Sequence, residues 1–131
     1  MADPTFAVQF AIMGLIRTSI TEIGQRVHDY VPQTSAFPYI SVSVPSSVPI
    51  DEACWDRSEV MLQLDVWSNT PSSNEVKSIA PKVRDLLHET DISVAGFVVD
   101  RARVDGIFYS REDNTELHRA RIMVTVEAQP A

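Results

Sequence analysis

Residues 117 to 128 read LHRARIMVTVEA, and two sets of side chains alternate along them. Ala120, Ile122, Val124, Val126 and Ala128 form one set; Arg119, Arg121, Met123, Thr125 and Glu127 form the other. Successive strand residues point to opposite faces, so this run specifies a strand with one buried face and one mixed face. A one-sided strand of that length needs a second layer to cover it.

Three other stretches make the same demand. Val60 to Ser68 sets Val60, Leu62, Leu64 and Val66 against Met61, Gln63, Asp65 and Trp67. Tyr39 to Val44 alternates Ile40, Val42 and Val44 with Ser41 and Ser43, and Pro38 fits only its first position or an edge, having no N–H for a ladder. In this reading Phe37 fills a gap under the first helix and Tyr39 points to the other side. Val94 to Val104, continuing irregularly to Tyr109, pairs with the last strand across a polar turn, Ser110 to Thr115. Between the first two strands, Pro45 to Pro49 interrupts the pattern and Ile50 to Ser58 resembles no regular element.

The cover comes from two helices. Asp3-Pro4 reads as an N-cap and first turn, and Ile12, Ile16, Ile20, Ile23 and Val27 keep helical spacing, which predicts a helix over about Pro4 to Ile23 with Gly24 as its C-cap. Phe6, Phe10 and Met13 add a second stripe, for which packing on the chain's own sheet is the simpler account and a subunit contact the alternative. Ser72 and Glu75 have capping-box spacing before a helix over about Asn74 to Glu89. Its stripe is Val76, Ile79, Ala80, Val83, Leu86 and Leu87, and the interior Pro81 predicts a kink or a later start. The order αββαββ then gives an α+β fold: a two-layer sandwich with an antiparallel four-stranded sheet and both helices on one face. With 131 residues, one domain over 1–131 is expected.

The net charge of -7 argues against a surface that wraps nucleic-acid phosphates. A lone Cys54 suits a reducing compartment, and the uncharged stretch from Pro4 to Ile16 is too short to cross a bilayer. No motif fixes a catalytic, cofactor or metal site. His28, His88 and His118 lie far apart, and four glycines leave little room for a phosphate loop. Asp51, Glu52 and Asp56 cluster in the irregular insertion, where solvation is the simpler account than a divalent cation. Arg101, Arg103, Arg119 and Arg121 fall at alternate positions of two pairing strands and form a candidate basic stripe, broken by Asp100, Asp105 and Glu127.

Several short strings, in order, carry a resemblance: Tyr30-Val31-Pro32-Gln33, Phe37-Pro38-Tyr39-Ile40, Leu64-Asp65-Val66-Trp67-Ser68, the helix end Val83 to Leu87, the Tyr109 to Arg111 turn and His118-Arg119. Over about residues 5 to 128 the chain resembles the phage tail completion, or tail terminator, proteins, which also occur in gene transfer agents. It departs from them at Pro45 and Ser46, where members often carry glycine. The resemblance implies a structural, non-enzymatic subunit without cofactors. Such subunits form a homo-oligomeric ring, usually of six, on the head-proximal end of the tail tube in the virion neck. The ring stops tube growth, meets the head connector or stopper protein and lets DNA pass without specific binding. Assembly would occur in the host cytoplasm, with no membrane involved. Candidate ring-interface or lumen residues are then Asp51, Glu52, Asp56, Tyr39, Arg119 and Arg121. The competing classes are a small-molecule-binding or regulatory α+β module and a metal-dependent hydrolase built on the acidic insertion.

Overall fold

The first helix, α1 (Thr5–Ser19), stops short of Ile23. Ile20 turns extended, with φ -103° and ψ 97°, and Thr21–Ile23 form a separate 3-10 turn closed by Gly24 in the left-handed region at φ 54°. Ile20 and Ile23 still reach the core, which is why the apolar spacing ran on through the break. Pro4, not Asp3, is the N-cap, and it brings no side-chain cap bond; Asp3 stands one residue earlier, where its Oδ1 accepts the Thr5 N–H at 2.9 Å.

A computed structural model describes residues 3–52, 55–112 and 116–131, and only the backbone of residues 51, 52 and 55. The sheet has five strands, not the expected four, and one pair is parallel. The additional strand, β1 (Val27–His28), lies beside the start of β2 (Tyr39–Glu52), pairing Val27 with Ile40 and His28 with Ser41. Two residues are too few to show an alternation, so pattern reading passes over it. The remaining strands are β3 (Trp55–Ser68), β4 (Phe97–Arg111) and β5 (His118–Pro130), in the order β1-β2-β3-β5-β4.

The stretch expected to be irregular is also strand. β2 and β3 pair from Tyr39↔Trp67 out to Glu52↔Trp55, with a register shift between Ser43 and Ser46. Pro45 sits in that bulge, and Pro49 opposite Ser58, on a strand that β1 covers at only two residues. Prolines are tolerated there because an edge strand has N–H positions that no ladder uses. β4 runs through to Arg111 with shifts at Val99/Arg101 and Val104/Gly106. Bulges break the period-2 pattern, and this accounts for its irregular reading.

The second helix, α2 (Asn74–Leu87), holds Pro81 in its interior. The missing bond would have gone to the Lys77 carbonyl, on an exposed part of the helix where water can replace it. Ser72 Oγ accepts the Asn74 N–H at 3.1 Å. Glu75, instead of closing a capping box, accepts the hydroxyl of the buried Ser68 at 2.6 Å and ties α2 to the end of β3.

Both helices cover one sheet face. Ile40 and Val42, Val60 to Val66 at alternate positions, Ala120 to Ala128 at alternate positions, and Ala102 are buried against Val8, Ile12 and Ile16 of α1 and Val76, Ile79, Val83 and Leu87 of α2. These are the faces that the alternation and the helical stripes specify. Lys82 also bridges to Glu22 between the helical segments and holds that carboxyl below its ordinary range.

Candidate assembly surfaces

Phe37-Pro38-Tyr39 forms one corner of the molecule. The Phe37–Pro38 peptide is cis. Arg26 organises the corner from the residue just before β1: its backbone carbonyl accepts the Ile40 N–H at 2.9 Å, and its Nε donates to the Pro38 carbonyl at 2.9 Å. Ile40 thus donates toward β1 while Tyr39 pairs with Trp67 of β3, and Pro38, ahead of both, has no ladder bond to lose. Phe37 does not fill the space under α1. It is half-buried against Tyr39, ring centroids 5.1 Å apart, on the sheet face away from the helices, and His28 lies on the other side of Tyr39 at 6.0 Å. Burial, with Arg17 and Arg26 nearby, pushes His28 below its ordinary value; burial alone pushes the Tyr39 hydroxyl up.

That helix-free face carries a charge network and not a free basic stripe. Asp65, only 6% exposed, is its hub. It receives Arg119 Nε at 2.9 Å and Gln63 Nε2 at 2.9 Å, and Arg121 Nε stands 3.8 Å away. The Arg119 guanidinium also lies 5.0 Å from the Trp67 ring centre, and the Trp67 indole donates to Ser41 Oγ at 3.3 Å. Farther along, Arg103 pairs with Asp105 at 2.8 Å, and Asp105 takes the hydroxyl of the buried Thr125. Arg101 leaves the face altogether and pairs with Glu89 at 2.7 Å. Each of these arginines thus meets a carboxylate of its own chain, and the stripe holds little charge for an acidic ligand.

The acidic residues lie at the tip of the β2–β3 hairpin. Asp51 and Asp56 are Cα partners across it, and Glu52 pairs with Trp55 one step nearer the end. β5 follows β3 only as far as Ser58, so the last three pairs, from Ile50↔Arg57 outward, form a two-stranded arm beyond it. Cys54 lies outside the described residues, as do residues 113–115 of the expected turn.

A model of the tail completion protein gp17 family matches residues 11–128. The chain belongs to this family. Membership makes it a structural protein of a phage or phage-like tail. Among solved structures, a chain from the virion of a native gene transfer agent (GTA) particle has the same fold. Its TM-score is 0.84 at 15% identity, over 95% of this chain and 96% of that one. Comparison with curated proteins finds no match.

For a tail completion family member, the surfaces that sequence reading passed over matter as much as those it named. Asp65 carried no signal as a hub, although its place directly across from Arg121 follows once the register is known. The β4 edge is partly covered: the Glu89 N–H donates to the Ala102 carbonyl at 2.7 Å, and His88 Nδ1 accepts the Val104 N–H at 3.0 Å. Such cover limits unplanned edge pairing. On the helix layer, Phe6 and Phe10 stack 6.2 Å apart and stay 78% and 69% exposed, while Met13 beside them is buried. Among the described residues, no three His, Cys, Asp or Glu side chains converge as a metal site, and no helix is long and apolar enough to cross a membrane.

Proposed function

We propose that this chain, as one domain over residues 1–131, assembles head to tail into a ring of six. The ring caps the head-proximal end of a tail tube, ends its elongation and presents a docking surface to the head connector or stopper protein. The match of the tail completion family over residues 11–128 carries this reading. The fold shared with a chain of an assembled GTA virion supports it. The role is structural and non-enzymatic, and the subunit assembles in the host cytoplasm before joining the particle neck.

In this reading the helix-free sheet face meets a neighbour. Tyr39, Arg119 and Arg121 stand on it beside Trp67, a combination of aromatics and arginine that suits protein interfaces. Asp65 already fixes Arg119, so contact costs it little side-chain entropy. The acidic arm carrying Asp51, Glu52 and Asp56 reaches an inter-subunit seam or the lumen, where like charge lets DNA pass without holding it. Polymerising tail-tube protein with and without this chain tests the capping: electron micrographs should show shorter tubes with a ring at one end. Tubes of unchanged length with bare ends would contradict it. Replacing Asp51, Glu52 and Asp56 together by serine should impair ring assembly in native mass spectra and particle infectivity, and unchanged values in both would remove the arm from the seam.

A further inference from the structure

The geometry points to a second contact between copies of this chain, an antiparallel pairing of α1 with α1 of a second copy about a two-fold axis. α1 presents a ridge and a hole on the same face. Phe6 and Phe10, four residues apart and both largely exposed, form the ridge. One turn further on, a Cβ added to Gly14 would meet no heavy atom within 4 Å, and the groove there runs from Phe10 over Gly14 to Asp91 and Ile92. Residues at i, i+4 and i+8 share a helix face, so Phe6, Phe10 and Gly14 lie in one row. Two such rows packed antiparallel set Phe10 of each copy over Gly14 of the other, and the missing side chain lets the helices approach closely.

The charges fit the same symmetry. Arg17 lies at the C-terminal end of this face; its guanidinium is held by the Val27 carbonyl at 2.6 Å and has no carboxylate partner among the described residues. Asp29, exposed and likewise without a cation there, borders a separate hollow on the other flank of the ridge, beside Phe6, Gln9 and Met13. An antiparallel two-fold brings Arg17 of each copy toward Phe6 and Asp29 of the other, giving two equivalent ion pairs. No charged residue lies between Pro4 and Ile16, so the Phe6, Phe10 and Gly14 row itself carries no charge, and the carboxylates Asp29 and Asp91 stand at its flanks. The four phenylalanines of a pair would bury on the order of 600 Å², about half the lower bound for a stable interface, and the groove walls supply more.

This pairing is isologous and does not depend on the head-to-tail ring. The test is sedimentation equilibrium of the free protein at tens of micromolar, without tube protein, on wild type, Phe10→Asp and Gly14→Leu. Phe10 is exposed and Gly14 faces open space, so both variants should keep the wild-type circular dichroism. Wild type should be a dimer, and each variant should dissociate with a constant raised by about 30-fold or more, the scale of an interface hot spot. A monomeric wild type overturns the pairing, as does a variant that dimerises as tightly as wild type. If wild type is monomeric and Phe10→Asp loses binding to tube protein, the face belongs to the tube. Dimers that persist in a protein that fails to cap tubes would count against the ring reading alone.

Discussion

At the scale of single residues, the helix-free sheet face depends on one carboxylate. Asp65 is buried and serves Arg119, Arg121 and Gln63 together. Removing one member of such a group leaves the others short of a countercharge, which costs more than the pair itself contributes. Both arginines are partly exposed, so water recovers some of the loss. Asp65→Ala should therefore cost about 2 kcal/mol in urea unfolding, and a change within 0.5 kcal/mol, roughly that of an ordinary surface substitution, would show that the network is incidental. His28 gives a pH dependence of known sign. Its folded value is depressed below the ordinary 6.5 by burial and by Arg17 and Arg26. Above about pH 6.5 both folded and unfolded forms are neutral and it contributes no slope. As pH falls below that value the unfolded chain binds the proton more readily, and stability declines until the folded value is passed. His28→Gln should flatten the stability profile in the range below about pH 6.5, and an unaltered slope would contradict the assignment.

At the scale of elements, Pro81 stands inside α2 and leaves the Lys77 carbonyl without its helical donor. Pro81→Ala should raise stability by about 1 to 3 kcal/mol, measured by thermal unfolding; a loss of stability would mean that the proline ring, half-buried, packs for more than its missing bond costs. The elements also show what the sequence makes legible. The long alternations of Val60 to Ser68 and Leu117 to Ala128 specify both register and buried face, because slipping by one residue would expose every apolar side chain. The apolar stripes of α1 and α2 select the same core. β1 was not legible, since Val27 and His28 are held by the Arg26 clamp on Pro38 and Ile40 and not by any pattern of their own. The outer half of the β2–β3 hairpin was hidden for a different reason: Pro45 and Pro49 read as breakers, yet both fit an edge with a bulge. Phe37 was assigned to the wrong layer because apolarity alone does not distinguish a core side from an aromatic corner. Of the candidate assembly residues, Tyr39, Arg119 and Arg121 do share one face, while Asp51, Glu52 and Asp56 share the tip of one hairpin.

At the scale of the whole molecule, the sheet ends on two different edges, β1 with the outer part of β2 on one side and the partly covered β4 on the other. Two unlike ends favour a head-to-tail contact, which closes into a ring when the rotation per subunit closes. The helix layer, with Phe6 and Phe10, offers a separate self-complementary face, so ring contacts and pairwise contacts need not compete for one surface. In the proposed ring, acidity over the whole chain would let DNA traverse the channel without being held. Native mass spectrometry of the purified protein across a concentration series, alone and with tail-tube protein added, tests the central claim most directly. A hexamer, formed alone or only with tube protein, is the result expected from a tail-capping ring. A species no larger than a dimer at every concentration, with tube protein present, would contradict it.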